Sequence, residues 1–219
     1  MTTSQTGPIS TRYDILLDYL ASQQQRHPGF IQHPNPHVNR MAMAQLDSLR
    51  KAAVLIPVTR NSATRESHVV LTVRSANLKS HAGQISLPGG TWEARDADAV
   101  STALRESEEE IGLRRDAVEI IGQLGEMALP SGFRVTPVIG LIEPGLQFTP
   151  CPVEVADIFQ APLELVLNPE AYRRSEILFN EQPRQILELL FEDYRIWGAT
   201  ANILHHLAEA VTRHATMPD

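Results

Sequence analysis

The chain has 219 residues, 42% of them hydrophobic, and a formal net charge of −7, enough to bury one substantial core with room for a terminal appendage. The negative balance argues against a general nucleic-acid or anionic-membrane surface, and Cys151 as the only cysteine excludes an intramolecular disulfide. Neither a run of eighteen apolar residues nor a basic-then-apolar leader is present, so a cytoplasmic protein with no membrane partner is expected.

In chain order, residues from Thr11 to about Gln24 place Ile15, Leu16, Leu17, Tyr19 and Leu20 at helical spacing behind a Ser10 or Thr11 cap. A Pro- and His-rich linker follows near His27 to His37, and its His33 and His37 read as polar loop residues rather than metal ligands. Ala52 to Thr59 and His68 to Arg74 are apolar, β-branched runs that predict paired strands. A helix is expected from about Ala97 to Ile111. Further strands are expected at Val118 to Leu124, Val135 to Ile142, Tyr172 to Phe179 and Arg184 to Phe191, with helices near Val153 to Phe159 and Ala199 to Arg213. His205 and His206 are adjacent in the last helix, point about 100° apart and cannot chelate together. Trp197 reads as a core anchor rather than a base-stacking platform, and Trp92, in the loop after a Gly-Gly turn, as a candidate to border the substrate.

The segment from Leu87 to Leu113 is the most informative. Glu106, Glu109 and Glu110 stand at i, i+3 and i+4, so three carboxylates share one helix face within about 6 Å of rise. Such a cluster opposes itself unless cations or strong donors hold it ionised, and hard oxygen ligands suit Mg²⁺ or Mn²⁺. Arg105 can reach Glu109 one turn away and fix its rotamer. Leu87-Pro88-Gly89-Gly90 lets the backbone turn tightly and frees a carbonyl and amides to approach a metal or phosphate. Gly112 reads as a left-handed helix C-terminal residue.

Gly90, Arg105, Glu106, Glu109, Glu110, Gly112 and Leu113 together resemble the Nudix box, GX5EX7REUXEEXGU with U apolar. Upstream, Leu71-Thr72-Val73-Arg74-Ser75, Lys79, Gly83 and Leu87-Pro88-Gly89-Gly90 resemble the LLTXRSX3RX3GX3FPGG pattern of the coenzyme A pyrophosphatase (NudL-like) branch of that superfamily, with Lys79 for Arg and Leu87 for Phe. Ser80-His81-Ala82-Gly83-Gln84-Ile85-Ser86, the stretch from Val135 to Ile142, and Ile196 to Ala201 agree with the same branch, so the resemblance runs from about Ala52 to about Leu207. Two departures stand out. Asp96 takes the place of the first glutamate of the box, separated from Arg105 by eight residues rather than seven, a spacing that fits the coenzyme A branch. Ser107 occupies an apolar, sheet-facing position, where its hydroxyl should bond back to a helix carbonyl.

The resemblance implies an α/β fold of the Nudix type: an α/β/α sandwich with a mixed sheet over residues 51–219, preceded by an N-terminal helical extension and linker over residues 1–50. It implies a metal-dependent diphosphatase that cleaves coenzyme A or its thioesters to 3′,5′-ADP and 4′-phosphopantetheine or its acyl form, with Mg²⁺ or Mn²⁺ as cofactor. Glu106, Glu109 and Glu110 are the expected metal ligands, with Gly89 or Gly90 offering a carbonyl. Glu109, steered by Arg105, is the expected base, and Glu154 the reserve. Arg74 and Lys79 are candidates for substrate phosphates, the 3′-phosphate of coenzyme A being the natural one, and His81 for a donor at the pocket rim; each has an alternative reading as an ordinary surface or loop residue. Glu154 can equally be a helix N-terminal acid. ADP-ribose, NADH or another nucleoside diphosphate derivative is the alternative substrate, a non-hydrolysing ligand sensor on the same scaffold is the alternative class, and a purely structural role ranks last. A small-molecule partner is expected, and a homodimer is the commonest assembly for such a chain.

Overall fold

The structure, a computed structural model, describes residues 11–23, 28–33, 36, 38–40, 46–62, 66–78, 80–179 and 182–217. Lys79 and His37 lie outside the described residues. The elements are α1 (Arg12–Gln23), β1 (Arg50–Thr59), β2 (His68–Arg74), β3 (Ile85–Ser86), β4 (Gly89–Thr91), α2 (Ala99–Ile111), β5 (Glu119–Gln123), β6 (Met127–Leu129), β7 (Phe133–Ile142), β8 (Val155–Pro162), α3 (Leu163–Val166), β9 (Arg173–Phe179), β10 (Gln182–Phe191), β11 (Tyr194–Trp197) and α4 (Gly198–Thr216).

The β-branched runs pair as their composition demands. β1 lies parallel to β7 along its whole length and antiparallel to β2, giving the mixed sheet. The eight-stranded sheet runs β3-β2-β1-β7-β5, with β4 on β1, β6 on β7 and β8 on β2. Among the described residues the ladder between β1 and β2 is the pair Val58 and Val69. Beyond that point they diverge, and the segment from Ile85 to Thr91 crosses the gap: its first part pairs with Thr72 and Val73, its last part with Ala52 to Val54. That crossing carries the Gly-Gly turn.

Alternate residues of the sheet feed two cores. Ala53, Leu55, Val70, Val138 and Ile142 pack with Ala103 and Ile111 of α2 on one face. Ile56, Leu71 and Ile139 pack on the other face with Leu16 and Leu20 of α1 and Leu204, Leu207 and Val211 of α4. Helices therefore cover both faces, and α1 packs within its own chain. A separate three-stranded sheet, β11-β10-β9, joins the second core through Leu187, Leu189 and Ile196.

At the start of α1, Thr11 and Asp14 cap each other: the Thr11 N–H donates to the Asp14 carboxylate at 2.9 Å and the Asp14 N–H to Oγ1 of Thr11 at 3.3 Å. The segment expected to be helical from Val153 to Phe159 is a correction. It is β8, antiparallel to β2 from His68 opposite Pro162 to Arg74 opposite Val155. An unfilled edge of β2 outweighs the modest helix propensity of Glu154, Ala156 and Asp157. Glu154 consequently is not a helix N-terminal residue. Trp197 is half-buried rather than a sealed anchor. Among the described residues no helix is long and apolar enough to cross a membrane.

Candidate active site

The site is assembled where α2 lies against the crossing segment. Asp98 caps α2, accepting from the Ser101 N–H at 2.7 Å, and Gly112 ends it with φ 68°, donating to Glu108 and Ser107 carbonyls. Ser107, buried at the sheet side, donates back to the Ala103 carbonyl at 2.7 Å. The last carbonyls of the helix are satisfied from outside: the Cys151 N–H donates to Glu110 at 2.8 Å and the Thr149 N–H to Ile111 at 2.9 Å.

The glycines are required by contact. A Cβ on Gly90 would sit 2.5 Å from the Glu106 carboxylate, and one on Gly89, whose φ is 151°, would lie 2.3 Å from the Ala53 carbonyl oxygen. Pro88 adds a carbonyl that accepts from the Leu55 N–H at 2.8 Å. The Gly89 N–H donates to Oε2 of Glu110 at 3.0 Å, while Oε1 of Glu110 is 4.0 Å from the Arg74 guanidinium.

Glu110 is 3% exposed. Its burial pushes its carboxyl up to about 7, against the pull of the Gly89 N–H and Arg74, with the charges of Glu106 and Glu154 adding to the rise. Glu106 is also raised, first by burial and then despite Arg105, with Glu109 and Glu154 contributing repulsion. Glu154 follows the turn at Cys151, whose carbonyl accepts its N–H, and its own carbonyl accepts from Ser75 at 2.8 Å. The structure thus brings Glu106, Glu110, Glu154, Arg74, Gly89 and Gly90 together.

Glu109 is half-exposed and shares one Arg105 nitrogen with Glu106, accepting from it at 3.1 Å, while Arg95 donates to its other oxygen at 3.0 Å. Among the described residues, no three His, Cys, Asp or Glu side chains are already gathered as a metal cage. His81 is exposed, has φ 59° and bonds through Nδ1 to Gln84 at 2.8 Å. It belongs to the loop between β2 and β3 and has no bond to the carboxylates.

Arg105 is buried and makes more contacts than its pairing with Glu109. Its Nε and one terminal nitrogen grip Asp96 at 2.9 and 2.8 Å, the same terminal nitrogen donates to the Thr91 carbonyl at 2.9 Å, and the other reaches Glu106 at 3.0 Å. Asp96 also accepts from the Glu93 N–H and the Thr102 hydroxyl. The Arg105 hydrogen bonds hold Asp96 far below the usual carboxylate range against the opposing effect of burial, and the same pair keeps Arg105 firmly cationic. From sequence Asp96 is only a departure from the box. The signal that marks its role is its position, the first-glutamate place of the pattern, now filled by a shorter acid at a longer spacing. Arg95, which no motif flags, is the second cation on Glu109.

An acidic helix face closed by a Gly-Gly crossing on a mixed sheet between helices is the arrangement of a diphosphate-hydrolysing scaffold, and comparison with known proteins agrees. Residues 49–179 match the NUDIX domain model, and the chain belongs to the Nudix family. Within it the chain falls in the NudL-like branch. It is 39% identical to the protein named Uncharacterized Nudix hydrolase NudL of Photorhabdus laumondii over 165 residues, covering 75% of this chain and 87% of that one. The NudL of Escherichia coli K12 is 38% identical over 173 residues, covering 79% and 86%. The crystal structure of a Nudix hydrolase from M. smegmatis, RenU, has the same fold: TM-score 0.53 at 19% identity, covering 78% of this chain and 89% of that one.

Proposed function

We propose that this Nudix hydrolase cleaves the diphosphate of coenzyme A or its thioesters with Mg²⁺ or Mn²⁺, releasing 3′,5′-ADP and 4′-phosphopantetheine or its acyl form. The observation that carries the metal dependence is the convergence of Glu106 and Glu110 on the Gly89–Gly90 turn, Glu110 buried and Glu106 half-buried, with both carboxyls raised against the pull of Arg105 and Arg74. An all-oxygen donor set with excess negative charge fits a hard divalent cation. Glu106 and Glu110 would hold it, with Glu109 and a carbonyl of Gly89 or Gly90 completing the set. When bound, it supplies positive charge for the diphosphate oxygens and lowers the pKa of water.

The protein residues have separate tasks. Arg74, beside Glu110, orients the diphosphate. Arg105 and Arg95 hold the Glu109 carboxylate in one orientation, from which it would accept a proton from the attacking water; Glu154, whose charge is felt by Glu106 and Glu110, is the second candidate. Water adds to one phosphorus and the bridging P–O bond breaks, leaving a phosphate monoester on each arm. The substrate assignment is supported by the segment from Leu71 to Gly90, whose motif residues form β2, its return loop and the crossing. Lys79 and His81 of that loop are proposed for the substrate's outer groups.

The test is incubation of purified protein and Mg²⁺ or Mn²⁺ with coenzyme A, ADP-ribose and NADH separately, products being resolved by mass spectrometry. Release of 3′,5′-ADP from coenzyme A, lost in Glu110→Gln, is expected. Turnover of only ADP-ribose or NADH removes the coenzyme A assignment, and an unchanged rate in Glu110→Gln removes the metal assignment.

A further inference from the structure

Arg74 lies 4.0 Å from Glu110, so it faces the reacting end of a substrate rather than a phosphate carried on a remote arm. Another place for such a group lies two turns back along α2. Ala99 precedes Glu106 by seven residues, which on a helix is about 10 Å of rise and about 20° of rotation. It lines a cleft of about 320 Å³ whose walls include Lys51, Trp92, Gln123, Glu126 and Thr136. The chain of β4 follows the same line: Gly89 meets Glu110, Gly90 meets Glu106, the Thr91 carbonyl meets Arg105, and Trp92 reaches the cleft. From Gly90 to Trp92 is about 7 Å of extended chain, roughly one sugar's length.

The cleft has a charge and an aromatic face. The Lys51 ammonium lies over the Trp92 ring, 4.9 Å from its centroid, an attraction that holds the cation at the wall. Among the described residues no carboxylate pairs with Lys51, whereas Glu126 is already matched by Arg134 at 3.3 Å. Gln123 and Thr136 add neutral hydrogen-bonding groups. We infer that this cleft receives the nucleoside arm of the substrate, with the ribose and purine against Trp92 and a phosphate monoester on that ribose meeting Lys51. The identity of the arm rests on the coenzyme A reading; the cleft's preference for a phosphorylated nucleoside does not.

The protein has two tryptophans, so Trp197→Phe leaves Trp92 as the sole indole. Its fluorescence is titrated with 3′,5′-ADP and with 5′-AMP, which requires no turnover. The expected result is quenching by both, about tenfold tighter for 3′,5′-ADP, with Lys51→Ala erasing the difference. In the kinetic assay Lys51→Ala raises KM for coenzyme A about tenfold more than for its 3′-dephospho form. Equal affinity for the two nucleotides, or a preference that survives Lys51→Ala, overturns the inference even where coenzyme A is hydrolysed. A Lys51-dependent preference in a protein that hydrolyses only other diphosphates supports the cleft and removes the coenzyme A reading instead.

Discussion

Glu110 carries the largest electrostatic strain of the site, because its carboxyl is buried and pushed up to about 7 from an ordinary 4.5. The folded protein therefore binds this proton more tightly than the unfolded chain. Stability from this group is complete below pH 4.5 and falls as pH rises towards 7, a loss of about 3 kcal/mol when no cation is bound. Glu110→Gln removes the loss: without divalent metal the variant should be more stable than the parent at pH 8 and equal to it near pH 4.5. Added Mg²⁺ or Mn²⁺ should stabilise the parent and not the variant. Urea denaturation at both pH values, with EDTA and with metal, checks all three; a variant less stable at pH 8 contradicts the account. Asp96 has the opposite sign. Its depressed carboxyl contributes stability above the normal carboxylate range that is lost as pH falls, so Asp96 and Glu110 pull the pH profile in different directions.

At the level of elements, α2 and the longer strands were legible because each carries its own signal. The three carboxylates and Gly112 mark one helix, and the β-branched runs mark β1, β2 and β7. β3, β4 and β6 have two or three residues each, too few for a period, and exist only because a neighbouring strand offers an open edge. β8 was misread for the same reason: its partner β2, not its own composition, decides it. The turn before α2 was recognised by its glycines, yet their different demands are visible only in three dimensions. In Gly90→Ala the added Cβ meets the end of a movable side chain, so stability should fall by only about 1 kcal/mol while displacement of Glu106 lowers kcat about 10²-fold. In Gly89→Ala the obstacle is backbone and φ is 151°, and stability should fall by more than about 3 kcal/mol. Thermal unfolding and kcat measured on both variants separate the cases; equal destabilisation of the two contradicts this division.

For the molecule as a whole, the sequence placed an amphipathic helix ahead of the catalytic region and left open what it covers. Leu16 and Leu20 complete the same core as α4 and β5, with Leu20 packed against Gly122. Leu16→Ala should cost about 2–5 kcal/mol of global stability with KM for substrate unchanged, since α1 lies on the sheet face opposite α2. A denaturation curve and a KM measurement check this, and a shift in KM with no stability loss contradicts it. Charge was equally informative at this scale. A chain at −7 binds polyanionic substrates only through local cations, and Arg74, Arg95, Arg105 and Lys51 all border α2 or β4.

The strip from Thr149 to Glu154 joins two functions that sequence alone keeps apart. Its amides close the C-terminal end of α2 at Glu110 and Ile111, and a few residues later it delivers the Glu154 charge to the carboxylates. Such a strip tolerates many side chains but not a change in the number of residues, because one insertion would uncap the helix or withdraw the acid. In descendants of this chain, variation between residues 149 and 154 should accumulate as substitution, with the spacing from Thr149 to Glu154 held constant by selection on length.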